Sequence, residues 1–440
     1  MHYDLIVIGM GLSGLMAAKT AAADGQKVLI LGKGMGSLCL FSNTIDVLGQ
    51  IPKTMNPVRN FVGTSNSAGI ILGPNPTAEQ RAVISNGVKM TDALSQWIEG
   101  HPLHPYSKVG LKNAEEALSS FLSLFPPPYS FQTIDNRNCL LPTGAGTLRP
   151  TFLIPITMVG GISVDEGRAL IVGFKGFKDF YAHYVADQLR CRGINLELPD
   201  LLSQEPTATA LARLMEKKSF RQNIGGEIKK QLQGETRIGL PAILGTHDPA
   251  LVKDDLEGII GTKVFEIPIL PPSIPGMRIF NRFKEWLIRK GVTFLLGYSV
   301  SKAVLRGKRC ERIEVLHPPV ITSYSADRYI LATGRFIGGG LKADDEKVVE
   351  PIFNLPLSQP GSREDWFGDS FLSDLPHPIH GAGILTDASF QPVDTAGNTI
   401  LENVWAAGCI LAHHHCVEEK SREGIEISTG YAAAKHALEK

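Results

Sequence analysis

Between an apolar run, Asp4–Gly9, and an alanine-rich stretch from Leu12 to Asp24 stands GMGLSG, a Gly-x-Gly-x-x-Gly turn. In such a turn Gly9 permits the sharp change from strand to helix, Gly11 lets a pyrophosphate approach the backbone, and Gly14 lets helix and strand pack closely. The start of the helix offers N–H groups and the positive end of its dipole to a phosphate. Asp24-Gly25 then turns the chain into a second apolar run, Lys27–Leu31, so the spacing predicts a βαβ unit that binds a nucleotide.

About twenty residues beyond the turn, such units carry an acid that bonds the adenosine ribose. Here Gly32-Lys33-Gly34 occupies that place. Either Lys33 reads a 2'-phosphate, as of NADP, or it is solvated and the adenosine end is held otherwise or absent. Lysines in glycine loops are ordinarily solvated, which favours the second reading.

With 440 residues, 43% of them hydrophobic, the chain can build two lobes with real cores. Its 44 basic and 44 acidic residues cancel without a block of one sign, which speaks against a nucleic-acid partner. No basic and apolar leader precedes the first strand, so a cytoplasmic protein is expected. Apolar stretches such as Leu5–Ala18 are too interrupted to span a bilayer, leaving only peripheral membrane attachment. Six scattered cysteines point to reduced thiols.

Residues 34–73 read as a Gly/Ser/Asn/Thr-rich loop, 78–99 as a helix, and 102–155, rich in proline and glycine, as short elements only. A second α/β rhythm follows: a strand at 169–173, a helix at 177–192, a strand at 194–198, helical segments over 207–233 and 249–260, and a helix at 277–290. Strands near 292–296, 299–305, 312–316 and 328–332 lead into ILATGRFIGGG, and the tail holds NVWAAGC, a His-rich loop and a closing helix from about Gly424 to Leu438. The fold expected is α/β: a Rossmann-like flavoprotein nucleotide-binding domain of residues 1–75 and 291–440, interrupted by an α/β cap or substrate lobe, 76–290.

A strand ending in Ala-Thr-Gly, here Ala332-Thr333-Gly334, is a second hallmark of two-dinucleotide-type flavoproteins. The strand before Gly408 commonly ends in Gly-Asp, and Cys409 replaces that aspartate. A closing helix whose N-terminus near Gly424-Ile425 faces the flavin pyrimidine edge would stabilise a reduced, anionic ring. CILAHHHCVEE invites a metal, but three adjacent histidines in an extended segment cannot all face one ion, and neither CxxC nor HxxxH spacing is present. No metal site is therefore expected, and His413, His414 and His415 are read as candidate proton donors beside a flavin. Arg149, Arg278, Arg335 and Arg422 adjoin glycine or proline loops and are candidates to clamp an anion, although a lone arginine is more often a surface ion pair.

Taken in order, IVIGMGLSGL, NTIDVLG, GTLRPTFL, ILPPSIPGMR, ILATGRFIGGGL, EPIFNLPL, GILTDASFQP and ENVWAAGCILA resemble the B subunit of the anaerobic glycerol-3-phosphate dehydrogenases, from the first strand to the last helix. The resemblance implies a flavoprotein component that works with an FAD-bearing, catalytic A subunit, and with an iron–sulfur C subunit. The complex oxidises sn-glycerol 3-phosphate to dihydroxyacetone phosphate and passes electrons to a quinone at the cytoplasmic face of the membrane. It also implies FMN, with FAD as the alternative; FMN lacks an adenosine ribose and a pyrophosphate, which suits Gly32 and Cys409. The family leads one to expect a glycine-rich stretch before the last helix, where SREGIEISTG stands instead.

The cofactor-binding residues expected are thus Gly9, Gly11, Gly14, Lys33, Ser37, Ser42, Thr333, Gly334, Gly408, Gly424 and Ile425, with Arg422 and the three histidines as weak catalytic candidates. Two rival readings stand beside this one. The first is an independent flavin- or NADPH-dependent reductase, and the second a non-catalytic assembly component that keeps the fold as a scaffold.

Overall fold

The computed structural model describes residues 1–49, 89–164, 168–198, 205–370 and 376–440. The expected βαβ unit forms as strand His2–Ile8, helix Leu12–Ala23 and strand Val28–Gly32. Strand His2–Ile8 pairs in parallel with Val28–Gly32 on one side (Leu5 opposite Val28) and with strand Val320–Leu331 on the other (Ile8 opposite Leu331). Thr293–Leu296 extends the sheet at one edge. Beyond Val320–Leu331, Arg309–His317 and Ser299–Arg306 continue it as an antiparallel meander. Val404–Ala406 pairs in parallel with the last residues of Val320–Leu331. Both faces of the first two strands are buried, which is why they read as continuous apolar runs.

Strand Val320–Leu331 begins well before the expected Arg328 because its first nine residues, VITSYSADR, form a mostly exposed arm of the meander. Helix Leu111–Leu122 lies within 102–155, where only short elements were expected. It forms between the proline-bearing segments and buries Ala114, Ala117 and Phe121. Helix Ile274–Arg289 starts three residues ahead of the expected Met277: Ser273 caps it by accepting from Gly276 N at 3.1 Å, and Pro275 sits in its first turn. Of the helix expected over 78–99, the described part is Met90–Gly100; the rest lies outside the described residues, as does 50–73 of the expected loop.

A second sheet, all parallel, orders its strands as Lys263–Ile267, Arg237–Pro241, Ala169–Phe174 and Arg192–Leu196. Its core holds Leu170, Val172, Leu240 and Val264 under helix residues such as Leu211 and Leu256. The first core gathers the large sheet, the first and last helices and also Met90–Phe131, so the span 76–290 contributes to both cores. Helix Ile274–Arg289 joins them: Ile274 lies in the second core, and Ile279, Phe283 and Leu287 lie in the first.

At that junction Arg278 is buried and bidentate to Glu266, with Nη1–Oε2 and Nη2–Oε1 both at 2.7 Å, and its Nε donates to Gly245 O at 2.8 Å. Burial alone would raise the Glu266 carboxyl; the Arg278 charge and its hydrogen bonds, with one from Leu244 N, outweigh it and hold the group below its ordinary range. Arg278 is therefore a strut inside the protein and is not available to clamp a ligand. Removing one member of a buried pair leaves the other uncompensated, so Arg278→Ala is expected to lower the unfolding free energy by about 3–5 kcal/mol in urea titration.

Candidate functional site

The parallel strands of the large sheet end at one edge, and the turns that leave them enclose a cleft of about 270 Å³. The three glycines of GMGLSG divide the work. Gly9 has φ +121°, and a Cβ there would lie 2.2 Å from Ala332 O; a Cβ on Gly14 would lie 2.0 Å from Gly9 O. At Gly11 no described atom lies within 4 Å of that position, and Gly11 lines the cleft. Gly9 and Gly14 are thus demanded by packing, and Gly11 keeps the space that a ligand enters.

Gly11 caps the first helix with extended geometry, no side chain caps it, and no acid stands in its first turn. The amide-bearing end of the helix is therefore left for an anion. Thr333 and Gly334 form the facing wall. Gly334 has φ +70° and open space, and the buried Thr333 Oγ1 has no hydrogen-bond partner among the described residues. Two glycine faces, a bare helix start and an unpartnered hydroxyl fit a phosphate-bearing cofactor.

At Gly32, where a ribose-binding acid would stand, a Cβ would come within 3.0 Å of Met10 N and Cγ. Lys33 is exposed and outside the cleft lining. Gly36 lies against the glycine turn, its Cβ position 2.8 Å from Gly11 Cα, which brings Ser37 into the wall. Ser42 lies outside the lining, its Oγ 3.2 Å from Thr44 Oγ1.

The last helix, Arg422–Glu439, crosses the first so closely that a Cβ on Gly430 would sit 2.3 Å from Ser13 O. Gly408, at φ +83°, is pressed on the Ser13 side chain from the other side and lies outside the lining. This crossing brings Arg422 and Glu426 to the cleft. Gly424 and Ile425, expected to touch the cofactor, do not line it. Gly424 N donates to Asp46 O at 3.0 Å, a Cβ there would strike Tyr106 Oη, and Ile425 is fully buried. The helical period turns the next residue to the cleft instead.

Asp46 closes the clasp by accepting from Arg149 Nε at 2.7 Å and Thr151 Oγ1 at 2.5 Å, so Arg149 too is an internal partner. Arg422 stacks on Phe41, 3.3 Å from the ring centroid, and pairs with Glu423. Glu426 Oε1 lies 3.4 Å from both Ser37 Oγ and Cys409 Sγ. Burial raises its carboxyl above the ordinary range, and Arg422 offsets this only in part.

None of His413, His414 and His415 lines the cleft; the histidine that does is His380, whose Nδ1 is 2.9 Å from Glu418 Oε1. Burial would raise Glu418, and the hydrogen bond from His380 brings it below its usual range. Burial also pushes all three histidines of the run down, His414 furthest, with the Arg335 charge adding to the effect. Those neutral rings are poor proton donors. His380 stands in PHPIHGAG, a segment without a recognisable motif, so only the contact with Glu418 identifies it.

Arg335 projects back into the protein: it donates to His380 O, to Leu411 O at 3.0 Å, and to His414 O and Nδ1 at 3.1 Å. Cys409 and Cys416 both line the cleft and touch each other. Their contact and burial raise the Cys409 thiol, whereas at Cys416 the same contact outweighs burial and holds the thiol below the ordinary range. None of the six cysteines is in a disulfide. One ring nitrogen of His414 and the two sulfurs lie within 4.8 Å of one another. The spacing argument against a metal missed this grouping because the chain between Cys409 and Cys416 turns, with His413 at φ +63°.

Beneath the loop, fully buried Glu419 accepts from His104 Nε2 at 3.3 Å, Ser421 Oγ at 2.6 Å and His415 N at 2.7 Å.

The turn, the Ala-Thr-Gly wall and the closing helix define an FAD-binding protein of the oxidoreductase flavoprotein class, and the family described as FAD binding domain matches residues 60–424. Within that class the chain belongs to the B-subunit family of the anaerobic glycerol-3-phosphate dehydrogenases. It is 30% identical to a Halobacterium salinarum protein named as a probable B subunit of anaerobic glycerol-3-phosphate dehydrogenase, over 99% of this chain and 98% of that one. It is 29% identical to a Vibrio cholerae protein named as the B subunit of the same enzyme, over 100% and 97%. The matched family supports FAD as the flavin; the FMN that the resemblance implies, and that Gly32 and Cys409 suit, gains no support from it. Among the described residues no helix is long and apolar enough to cross a membrane.

Two outcomes test the geometry. Gly11→Val is expected to release the flavin while melting at nearly the temperature of the flavin-free wild type, because its side chain meets only the cleft. Gly14→Ala drives a Cβ into a carbonyl and is expected to cost about 1–3 kcal/mol or more. Bound flavin per chain and thermal melts of both variants check the contrast.

Glu419 supplies a pH signature. Burial raises its carboxyl, while His104 and the hydrogen bonds lower it further, leaving it well below the ordinary 4.5. A carboxylate whose folded value is depressed stabilises the protein above its unfolded value and loses that contribution as pH falls. Glu419→Gln is expected to remove part of the stability lost below about pH 4.5 and to lower stability at neutral pH by about 1.5–3 kcal/mol, read by denaturant titration across pH.

Proposed function

We propose that this chain is the flavin-bearing B subunit of a complex that oxidises sn-glycerol 3-phosphate to dihydroxyacetone phosphate. It would work with an FAD-bearing A subunit, passing electrons through an iron–sulfur C subunit to a quinone. The observation that carries the reading is the full-length similarity to proteins so named, combined with a cleft whose open glycine faces and bare helix start suit a flavin phosphate. In this reading residues 1–75 and 291–440 are the nucleotide-binding domain, 76–290 is the cap or partner-binding lobe, and the complex sits on the cytoplasmic face of the membrane.

The chain's own residues take defined parts. Backbone at Gly11 and Gly334, with the first-helix amides, holds the phosphates, and Thr333 Oγ1 and Ser37 Oγ hydrogen-bond the adjoining polar groups. When bound, the flavin supplies the hydride acceptor. The charges of Arg335 and Arg422 bias the cleft toward anions. In a site shared with the A subunit, His380 takes the hydroxyl proton of the substrate at Nε2, while Glu418 fixes its tautomer through Nδ1.

Release of the ligand from the purified chain decides among the readings. FAD is the expected result. NADPH binding without flavin would support the independent reductase, and a colourless chain that still binds the A subunit would support the assembly role. In the assembled complex, His380→Gln is expected to lower kcat for glycerol 3-phosphate with an artificial acceptor by roughly 10²–10⁴-fold while flavin content holds. Unchanged kcat would remove His380 from the chemistry.

A further inference from the structure

We propose that Cys409, His414 and Cys416 form a metal site for a thiophilic d¹⁰ ion of the zinc(II) class, set in the wall of the cleft. Their ligand atoms already lie within 4.8 Å of one another. A tetrahedral ion with metal–sulfur distances of about 2.3 Å and a metal–nitrogen distance of about 2.0–2.1 Å needs ligand separations of roughly 3.5–3.8 Å, so rotamer adjustments of about an ångström close the site.

The donor set suits such an ion. Two thiolates and a neutral imidazole select zinc over hard cations, and two thiolates neutralise its charge. One ring nitrogen of His414 lies within 4.8 Å of both sulfurs. His414 is fully buried with Nε2 unpartnered among the described residues. The contact of Nδ1 is with Arg335 Nη2, which keeps Leu411 O and His414 O as acceptors if a metal takes its place.

Binding converts two thiols to thiolates and releases two protons to solvent, with no change of oxidation state. Because both cysteines line the cleft and His414 stands behind them, the fourth coordination position opens to the cleft. Three protein ligands with one open position is the pattern of catalytic rather than structural zinc, and Cys₂His is one such set. The open position would take water or a hydroxyl oxygen of a molecule in the cleft. The site does not depend on which flavin is bound or on which alcohol is oxidised.

The test uses the full chain, purified with its flavin under reducing, oxygen-free conditions and titrated with Co²⁺. The expected result is close to one equivalent bound, with intense visible d–d bands at longer wavelength than the flavin, abolished by Zn²⁺. Cys409→Ser and Cys416→Ser should each weaken binding by more than the roughly 10–100-fold lost when a ligand's hydrogen-bond partner is removed, whereas Cys191→Ser should not. X-ray absorption on the zinc-loaded wild type keeps the proposal testable should the variants fail to fold, two sulfurs and at least one nitrogen being expected. Absence of the bands in protein whose thiols are titrated as reduced would overturn the site. So would bands that persist in both serine variants, or a Cys409–Cys416 disulfide that yields no metal binding after reduction.

Discussion

The approach of Gly9 to the carbonyl of Ala332 is the contact on which the cleft depends. It exists because His2–Ile8 and Val320–Leu331 are adjacent, parallel and in register to their last residues, so both turns leave the sheet at the same edge. Any side chain at position 9 would push the two turns apart. Ligands of open parallel sheets collect at the carboxyl ends of the strands, and here that edge also receives Gly32 and the segment after Val404–Ala406. The chemistry of the site is therefore inherited from sheet register, with loops supplying only the side chains.

A second layer of constraint is polar and buried. Arg278 with Glu266 ties the two cores, Asp46 ties the loop after the second strand to Arg149, Thr151 and the last helix, and Glu419 gathers His104, Ser421 and His415 under the cleft floor. Each is an arrangement in which the loss of one partner strands the others, so these groups specify geometry more than they add net stability. That explains why family phrases such as NTIDVLG and GTLRPTFL contribute little to the cleft lining: their Asp46, Arg149 and Thr151 hold it in place.

Much of this was legible in the sequence. The βαβ unit, the Ala-Thr-Gly wall and the parallel rhythm of the second sheet follow from apolar runs and glycine placement, signals that depend on a few consecutive residues. What was missed depends on long-range contact. Gly430 reads as an ordinary helix glycine until Ser13 is found against it; Arg278 and Arg149 read as anion clamps until Glu266 and Asp46 appear beside them. The His413–His415 run drew attention by composition, whereas His380 has its place in the cleft wall and its contact with Glu418 from segments 38 residues apart. The one-residue shift from Ile425 to Glu426 at the cleft shows how a helix phase error moves a site assignment.

The crossing of the first and last helices has a consequence for biogenesis. The glycine turn and the strand beside it lie some 320 residues apart in the chain, and the helix that completes the wall comes later still. Synthesis runs from the N-terminal end, so strand His2–Ile8 can pair early with Val28–Gly32, but its other edge waits for Val320–Leu331. Until then the apolar strand keeps one bare edge and the glycine turn lacks its facing wall, so the cleft is complete only once the Ala-Thr-Gly turn and the last helix are in place.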